Sequence, residues 1–422
     1  LTVKGLISAW LGPAPVLMDL HPKHGPGAVA EQVKSPIDKQ YFRVTYPQLS
    51  PFGGESLLYL HDHHAATEPH SLILKKHPIT RVVAVPKDFM KPRIISCEPM
   101  TMQFLQQGLC RYLMGKLEAT CPYVRFRDQT YNALLAKDLS VATLDMSDAS
   151  DTVSRRMVWA CFPEDWKKLL FALRSHFASI DQECIPLRAF APMGSALCFP
   201  VESIIFAAVT VAAIIVDMGI PYLKANKAKV AIYGDDIIIP IEAAPFVLTR
   251  LESSGFIPNK RKCCVKGSFR ESCGAEWYAG HDVTVVRPRT LAPFDTQSER
   301  FTPLTAMPMA QHAKSLHDKG FSCAASLLAS KCCFPVAIGD GEGYMPASLP
   351  WKQVGRTRWN PHLQRLEQQA LLPVQVSRPS NAGTGYSALF MHLSYGWSSE
   401  QVSMPRVKPK NRWVLAAPLS ER

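Results

Sequence analysis

The sequence has no CxxC pair, no His/Cys cluster at zinc spacing, no internal repeat and no apolar run long enough to cross a bilayer. The first two absences exclude a zinc ribbon and argue against a secreted disulfide framework. The twelve cysteines lie mostly in apolar or mixed segments, as Cys161, Cys184 and Cys198 do. The doublets Cys263-Cys264 and Cys332-Cys333 are poor disulfide geometry, so reduced thiols in a cytoplasm fit better. The longest apolar run, Ile204 to Val216, is bounded by Glu202 and Asp217 and falls short of the roughly 18–20 residues of a spanning helix, so it reads as a core helix. Acidic residues are scarce: 35 Asp and Glu stand against 47 Lys and Arg, giving a formal charge of +12. That balance favours polyanionic partners, nucleic acid first. No signal peptide or methionine opens the chain. It begins at Leu1 in the middle of a helical pattern, as a fragment or incomplete reading frame would.

With 422 residues, 47% of them hydrophobic, the chain can bury a large core in about two or three packed units. Leu1 to about Arg81 reads as irregular, with turns at His24-Gly25-Pro26-Gly27 and Pro51-Phe52-Gly53-Gly54. His61, His63 and His64 recur nowhere else and read as a solvated loop. Arg81–Val85 and Arg93–Ser96 are expected strands around a basic loop, followed by a helix from Met102 to Leu117. Further on, Val141–Asp145 reads as a strand, Trp166–Phe177 and Glu202–Asp217 as helices, and Lys229–Pro240 as a hairpin turning at Gly234-Asp235-Asp236. After about Pro288 the pattern loosens into a proline-rich, basic tail ending in Trp413.

The chemistry is concentrated in the acids. Adjacent carboxylates at the tip of an apolar hairpin are expensive, since like charges ~4 Å apart repel by about 4 kcal/mol at an effective dielectric of 20. A divalent cation is the usual remedy. Asp145 sits where a second apolar strand gives way to a polar turn, Asp145-Met-Ser-Asp148-Ala-Ser-Asp151. If the two strands are neighbours, Asp145 and Asp235 face each other across a metal-sized gap, the arrangement used for phosphoryl transfer. A calcium loop starting at Asp145 is excluded, because the central glycine is missing and Arg156 stands where the bidentate glutamate belongs. The plainer alternative is that Asp145 and Asp148 cap a helix beginning near Ala149. The loop from Val85 to Ser96 offers three cations for a triphosphate, Lys87 and Lys91 as point charges and Arg93 as a bidentate fork. Cys273 invites a nucleophile reading, but with no paired His it reads as a buried structural thiol.

Together these segments resemble the replicase catalytic subunit of the leviviruses, the single-stranded RNA phages, and occur in that family's order. VPKDFMKPRIISCEP resembles its motif F, TLDMSDASDTVS motif A, PMGSALCFPVESIIF motif B, AIYGDDIIIP motif C and GFIPNKRKC motif D. FRESCGAEWYAGHDVTVVRP, the most family-specific segment, resembles the strands that follow. The resemblance implies an α+β right-hand polymerase fold: fingers over 1–135, a palm of small antiparallel sheet packed on helices over 136–285, and a thumb over 286–422.

It further implies RNA-directed RNA synthesis, with Asp145 and Asp235 as the main ligands of two Mg²⁺ ions (Mn²⁺ as a possible substitute) and Asp236 in support. Lys87, Lys91 and Arg93 become triphosphate contacts, Asp151 the acid that senses the ribose 2′-hydroxyl with Ser195 nearby, and Lys260 or Lys262 a proton donor to pyrophosphate. Two positions depart from the family's pattern. Ser195 stands where asparagine is usual and Cys198 where threonine is. Implied partners are RNA template and product, ribonucleoside triphosphates and the host elongation factors Tu and Ts, with no membrane, in the cytoplasm of an infected bacterium. The rival readings are a reverse transcriptase, a narnavirus-type or mitovirus-type RNA polymerase, and a non-enzymatic basic RNA-binding protein.

Overall fold

A computed structural model describes residues 2–16, 19–33, 39, 78–86, 92–181, 183–287, 294–295, 300–301, 303–331, 337–338, 345–346, 357–376 and 406–415. The loops around Pro51 and His61, the doublet Cys332-Cys333 and both Lys87 and Lys91 lie outside them. Helices and sheets are mixed, and the chain divides into two compact units, one running to Thr284 and the other beginning at Val285.

The first unit is organised by a three-stranded antiparallel sheet in the order β3–β7–β6, formed by Val141–Leu144 (β3), Asp236–Pro240 (β7) and Ala231–Tyr233 (β6). Successive side chains of a strand point to opposite faces. In β7, Ile237 and Ile239 join the main core, while Ile238 joins Val141, Ala231 and Ala136 on the other side. The sheet is thus covered on both faces, which is why β7 reads as an unbroken apolar run instead of an alternating one. The expected strand and hairpin are both present.

Behind the sheet runs the helix Cys198–Met218, whose fourteen buried residues include Ile204, Ile205, Phe206 and Val209. It packs against the helices Val3–Leu11 and Ala244–Ser253. The sequence placed its start at Glu202, a turn too late, and the length argument against a membrane span does not hold: the helix has 21 residues and is long and apolar enough to cross one. Its burial within the unit is what marks it as a core helix.

A second sheet, ordered β2–β1–β4–β5, contains Ile79–Pro86 (β1), Pro92–Cys97 (β2), Phe177–Ile180 (β4) and Glu183–Pro186 (β5). The β1–β2 pairing is antiparallel, as expected, and leads into the helix Met100–Thr120. Three expectations fail in this unit. Residues near the start are not all irregular, since Thr2 accepts from the Gly5 N–H and caps Val3–Leu11. The helix expected over Trp166–Phe177 is Glu164–Ala172, and Phe177 opens β4. Cysteines are less deeply placed than their apolar neighbours suggest: all ten described are free thiols, Cys184 is exposed, and Cys161, Cys198 and Cys273 are only half-buried.

The second unit holds the helices Pro303–Asp318 and Ser322–Lys331 and an antiparallel sheet of Thr357–Asn360, Arg365–Val376 and Arg406–Leu415. Sequence reading missed these strands. Prolines argue against strand, yet Pro373 and Pro409 stand opposite each other in this register.

Candidate active site

The antiparallel register of β3 on β7 runs from Val141 opposite Pro240 to Leu144 opposite Ile237. Asp145 follows β3 directly and Asp236 begins β7, so Asp145, Asp235 and Asp236 collect at one end of the sheet. Tyr233 pairs with Asp236, leaving Gly234 and Asp235 as a two-residue turn. Gly234 has φ +63°, and Asp235 is not among the positive-φ residues. A single positive φ at the first central residue is the pattern of a type II′ hairpin turn, which glycine adopts without strain. A side chain at 234 would also collide with the Phe199 ring, 2.6 Å from the Cβ position. Beneath the turn, the Gly234 N–H donates to Ser203 Oγ at 3.1 Å, and Phe199 and Tyr233 meet edge to face at 5.0 Å.

Electrostatics agree with this convergence. The Asp235 carboxyl is pushed above the usual range chiefly by burial and further by the charge of Asp145, while Lys262 and Arg93 pull it back. Arg93 is exposed on β2; its charge reaches the turn. Asp145 is half-buried. Its Oδ1 accepts from Asn259 Nδ2 at 3.0 Å and its Oδ2 from Lys262 Nζ at 2.9 Å. Both donors sit on residues 257–264, which lie along the free edge of β3 through the Thr143–Cys264 backbone pair and the Ser147 N–H to Ile257 oxygen bond. Of the two lysines left open by the sequence, Lys262 is the one that reaches Asp145. Asn259 was missed altogether, because only the β3 edge pairing brings it there.

Asp236 sits differently. Burial first, then the charges of Asp235 and Glu271, push its carboxyl up to about 6, and it accepts from the Cys273 backbone N–H and thiol. Cys273 lies in the turn between Phe269–Ser272 (β8) and Ala275–Tyr278 (β9), with φ +51°. Its thiol is pushed up to about 12, by burial and then Asp236. It is therefore a half-buried donor held in the protonated form, not a deeply buried thiol and not a nucleophile. Arg270, on β8, is buried and donates to the carbonyl oxygens of Val141, Leu139, Gly267 and Phe269, fixing this hairpin against the start of β3.

The helix-capping alternative for motif A does not hold. Asp148 occupies the position before Ala149–Thr152, but at φ +49° and with no side-chain capping bond. Asp151 is exposed, although its carboxyl is partly shielded from water and is pushed up by that shielding and by Asp148. Glu202, which sequence reading used only as the end of an apolar run, is buried below the turn. Burial, then Asp235 and Asp151, push it up to about 8. Ser195 turns inward: it is 7% exposed, and its Oγ donates to Gln106 Oε1 at 3.0 Å.

Among the described residues no three His, Cys, Asp or Glu side chains close into a metal-holding cluster. The Asp145–Asp235 pair nevertheless fits Mg²⁺, which takes hard oxygen donors, is commonly held by only one or two carboxylates, and completes its shell with water and substrate phosphates.

The sequence model of the family described as "RNA replicase, beta-chain" matches residues 56–292, more than half of the chain. The RNA-directed RNA polymerase beta chain of Escherichia phage MS2 is 40% identical over 206 residues, 48% of this chain and 36% of that protein. The corresponding beta subunit of Escherichia virus Qbeta is 34% identical over 225 residues, 52% of this chain and 37% of that one. The matched region thus spans little more than a third of these relatives' length. A solved structure, the BmCPV RNA-dependent RNA polymerase at elongation state, aligns with 80% of this chain and 34% of its own at 11% identity and TM-score 0.48, too weak a likeness to bear on the fold. On the strength of the family match over residues 56–292, the chain belongs to the RNA replicase beta-chain family.

Proposed function

We propose that this chain carries the catalytic centre of an RNA-directed RNA polymerase that replicates the genome of a single-stranded RNA phage from ribonucleoside triphosphates. The observation that carries this reading is the convergence of Asp145 and Asp235 at one end of adjacent strands, with Arg93 and Lys262 acting on the same carboxylates. Residues 1–135 serve as fingers, 136–285 as palm and 286–422 as thumb.

Asp145 and Asp235 are the ligands of two Mg²⁺ ions, with Asp236 supporting them from the β8–β9 side. When bound, such ions lower the pKa of the attacking 3′-hydroxyl and stabilise the departing pyrophosphate. The protein's own part is positioning and neutralisation. Lys87, Lys91 and Arg93 hold the triphosphate, Lys262 supplies a proton at the leaving group, and Asp151 senses the ribose 2′-hydroxyl. Template choice is left to Watson–Crick pairing, and Lys and Arg grip phosphates without regard to sequence. By analogy with phage replicases, elongation factors Tu and Ts are its host partners, in the cytoplasm of an infected bacterium.

The test is template-dependent incorporation of labelled ribonucleotide by the full chain, with and without bacterial extract, beside Asp145→Asn. Incorporation by the wild type that the substitution abolishes is the expected result. A chain that binds RNA but never extends a strand in either condition would favour the RNA-binding alternative. Better use of dGTP than GTP would favour a reverse transcriptase.

A further inference from the structure

Glu98, just beyond β2, is 2% exposed, and around it lie Gln106 (0%), Ser175 (1%) and Arg174 (1%). Ser175 Oγ donates to Glu98 Oε2, and the side chains of Gln106 and Ser195 are also hydrogen-bonded to Glu98. Gln106 Nε2 donates to the Leu173 carbonyl at 2.9 Å. Its Oε1 accepts twice from one loop, from Ser195 Oγ at 3.0 Å and from the Ala196 N–H at 3.2 Å. That loop is also fastened to β2 directly. The Ser96 N–H donates to the Met193 carbonyl at 2.8 Å, and Gly194, at φ +112°, lies so close that a Cβ there would stand 2.3 Å from the Ser96 carbonyl oxygen. Arg93 is on the same strand.

A buried carboxyl beside a buried guanidinium is a poor way to gain stability, because apolar replacements of such groups are often neutral or better. What the arrangement secures is geometry. The Ser195 hydroxyl lies within hydrogen-bonding reach of both Gln106 and Glu98, and its oxygen accepts from the Leu197 N–H at 3.3 Å. Its hydroxyl is therefore engaged within the protein.

We propose that Glu98 is a positioning residue, which through Gln106 locks the 193–196 loop to the strand that carries Arg93, so that both walls of the nucleotide site move as one body. Ser195 is the loop's anchor rather than a sugar contact. This assignment rests on the polymerase reading for its functional meaning, but the lock itself is observable without activity.

The experiment uses the full chain and the variants Gln106→Leu, Glu98→Leu, Glu98→Gln and Ser195→Ala. Amide hydrogen exchange is followed at Ser96 and Ala196, with Ile238 in the catalytic sheet as reference. Gln106→Leu should speed exchange at Ser96 and Ala196 by about tenfold or more while Ile238 is unchanged, as local opening does. Nucleotide KM should rise by roughly 10 to 100-fold, the size expected for losing buried hydrogen bonds, with kcat at saturation little altered. Glu98→Leu, which removes the acceptors used by Ser175 and Gln106, should speed exchange at Ala196 as Gln106→Leu does, whereas Glu98→Gln, which can still pair with both, should stay near wild type in both measurements. Should Gln106→Leu not fold, Ser195→Ala removes one of the loop's two contacts to Gln106 Oε1 without a large hole and should speed exchange at Ala196 to a smaller degree, since the Ala196 N–H keeps its own acceptor. Unchanged exchange at Ala196 in folded Gln106→Leu, Glu98→Leu and Ser195→Ala, or equal acceleration at Ile238, would overturn the lock. A response of the amides as expected in a wild-type background that makes no RNA would sink the polymerase reading and leave the lock standing.

Discussion

The first unit contains two buried acid sites of opposite character. At the sheet end, Asp145 and Asp235 repel each other, the Asp235 carboxyl is driven up, and one lysine and one asparagine cover only part of the available oxygen. Around Glu98 the carboxyl is almost sealed from water and sits among Ser175, Gln106 and Arg174. A carboxylate that must take up a ligand keeps lone pairs and uncompensated charge. One that must hold a loop spends its hydrogen bonds within the protein. Carboxyl groups in one compact unit can therefore be sorted by how completely they are satisfied.

The largest expected effect tests that sorting directly, because the same chemical change is made at both places. Asp235→Asn should cut RNA synthesis by more than the ~10³-fold typical of deleting a preorganised electrostatic group, with RNA binding retained. Glu98→Gln should cost little in either. Retention of more than a tenth of wild-type synthesis in Asp235→Asn, measured by labelled nucleotide incorporation, would erase the distinction.

Glu202 lies between the two types, with the Cys198 thiol as its one side-chain hydrogen-bond partner among the described residues, at 3.8 Å. Folded, it keeps its proton to about pH 8, against 4.5 for the ordinary group. Between those values the folded state binds more protons than the unfolded one, so stability falls as pH rises, by up to about 1.4 kcal/mol per pH unit. Urea midpoints across pH 7 to 8, above the range in which Asp236 titrates, should show that decline, measured without divalent cation, and Glu202→Gln should make it shallower. A wild-type profile already flat there would remove Glu202 from the account.

Arg93→Ala should raise KM by about tenfold, equally for all four nucleotides, as expected for losing a charged contact to a shared triphosphate. A defect confined to one base would place Arg93 elsewhere. The smallest effect belongs to Asp151. Under the proposed polymerase function, with the Ser195 hydroxyl turned inward, this exposed carboxyl is the group assigned to sense the ribose, and Asp151→Ala should narrow the GTP to dGTP preference by roughly fivefold or more, the lower end for one unpaired polar group. An unchanged ratio in single-nucleotide extension would remove that role.

What could be read from the sequence was what local rules govern. Gly234 in a hairpin turn, the apolar runs of β3 and β7, and the acid at the end of β3 all follow from turn chemistry and strand pattern. Pairing across long separations could not be read. Asn259 and Lys262 reach Asp145 only because 257–264 lies along β3, and the inward turn of Ser195 depends on Gln106, far away in the chain. Asp148 looked like a helix cap because Asp is common at such positions, yet at its positive φ it makes no side-chain capping bond. The strands after Thr284 stayed hidden behind their prolines.

The helix Cys198–Met218 carries Phe199 and Ser203, the seat of the catalytic turn, and also the largest share of the first unit's apolar interior. Foundation and machinery are thus one object. Heat that loosens this helix withdraws the support under Gly234 in the same event, so the turn cannot outlast the apolar interior beneath it. The thermal ceiling of the turn's geometry is set by hydrocarbon packing and not by the carboxylates it presents.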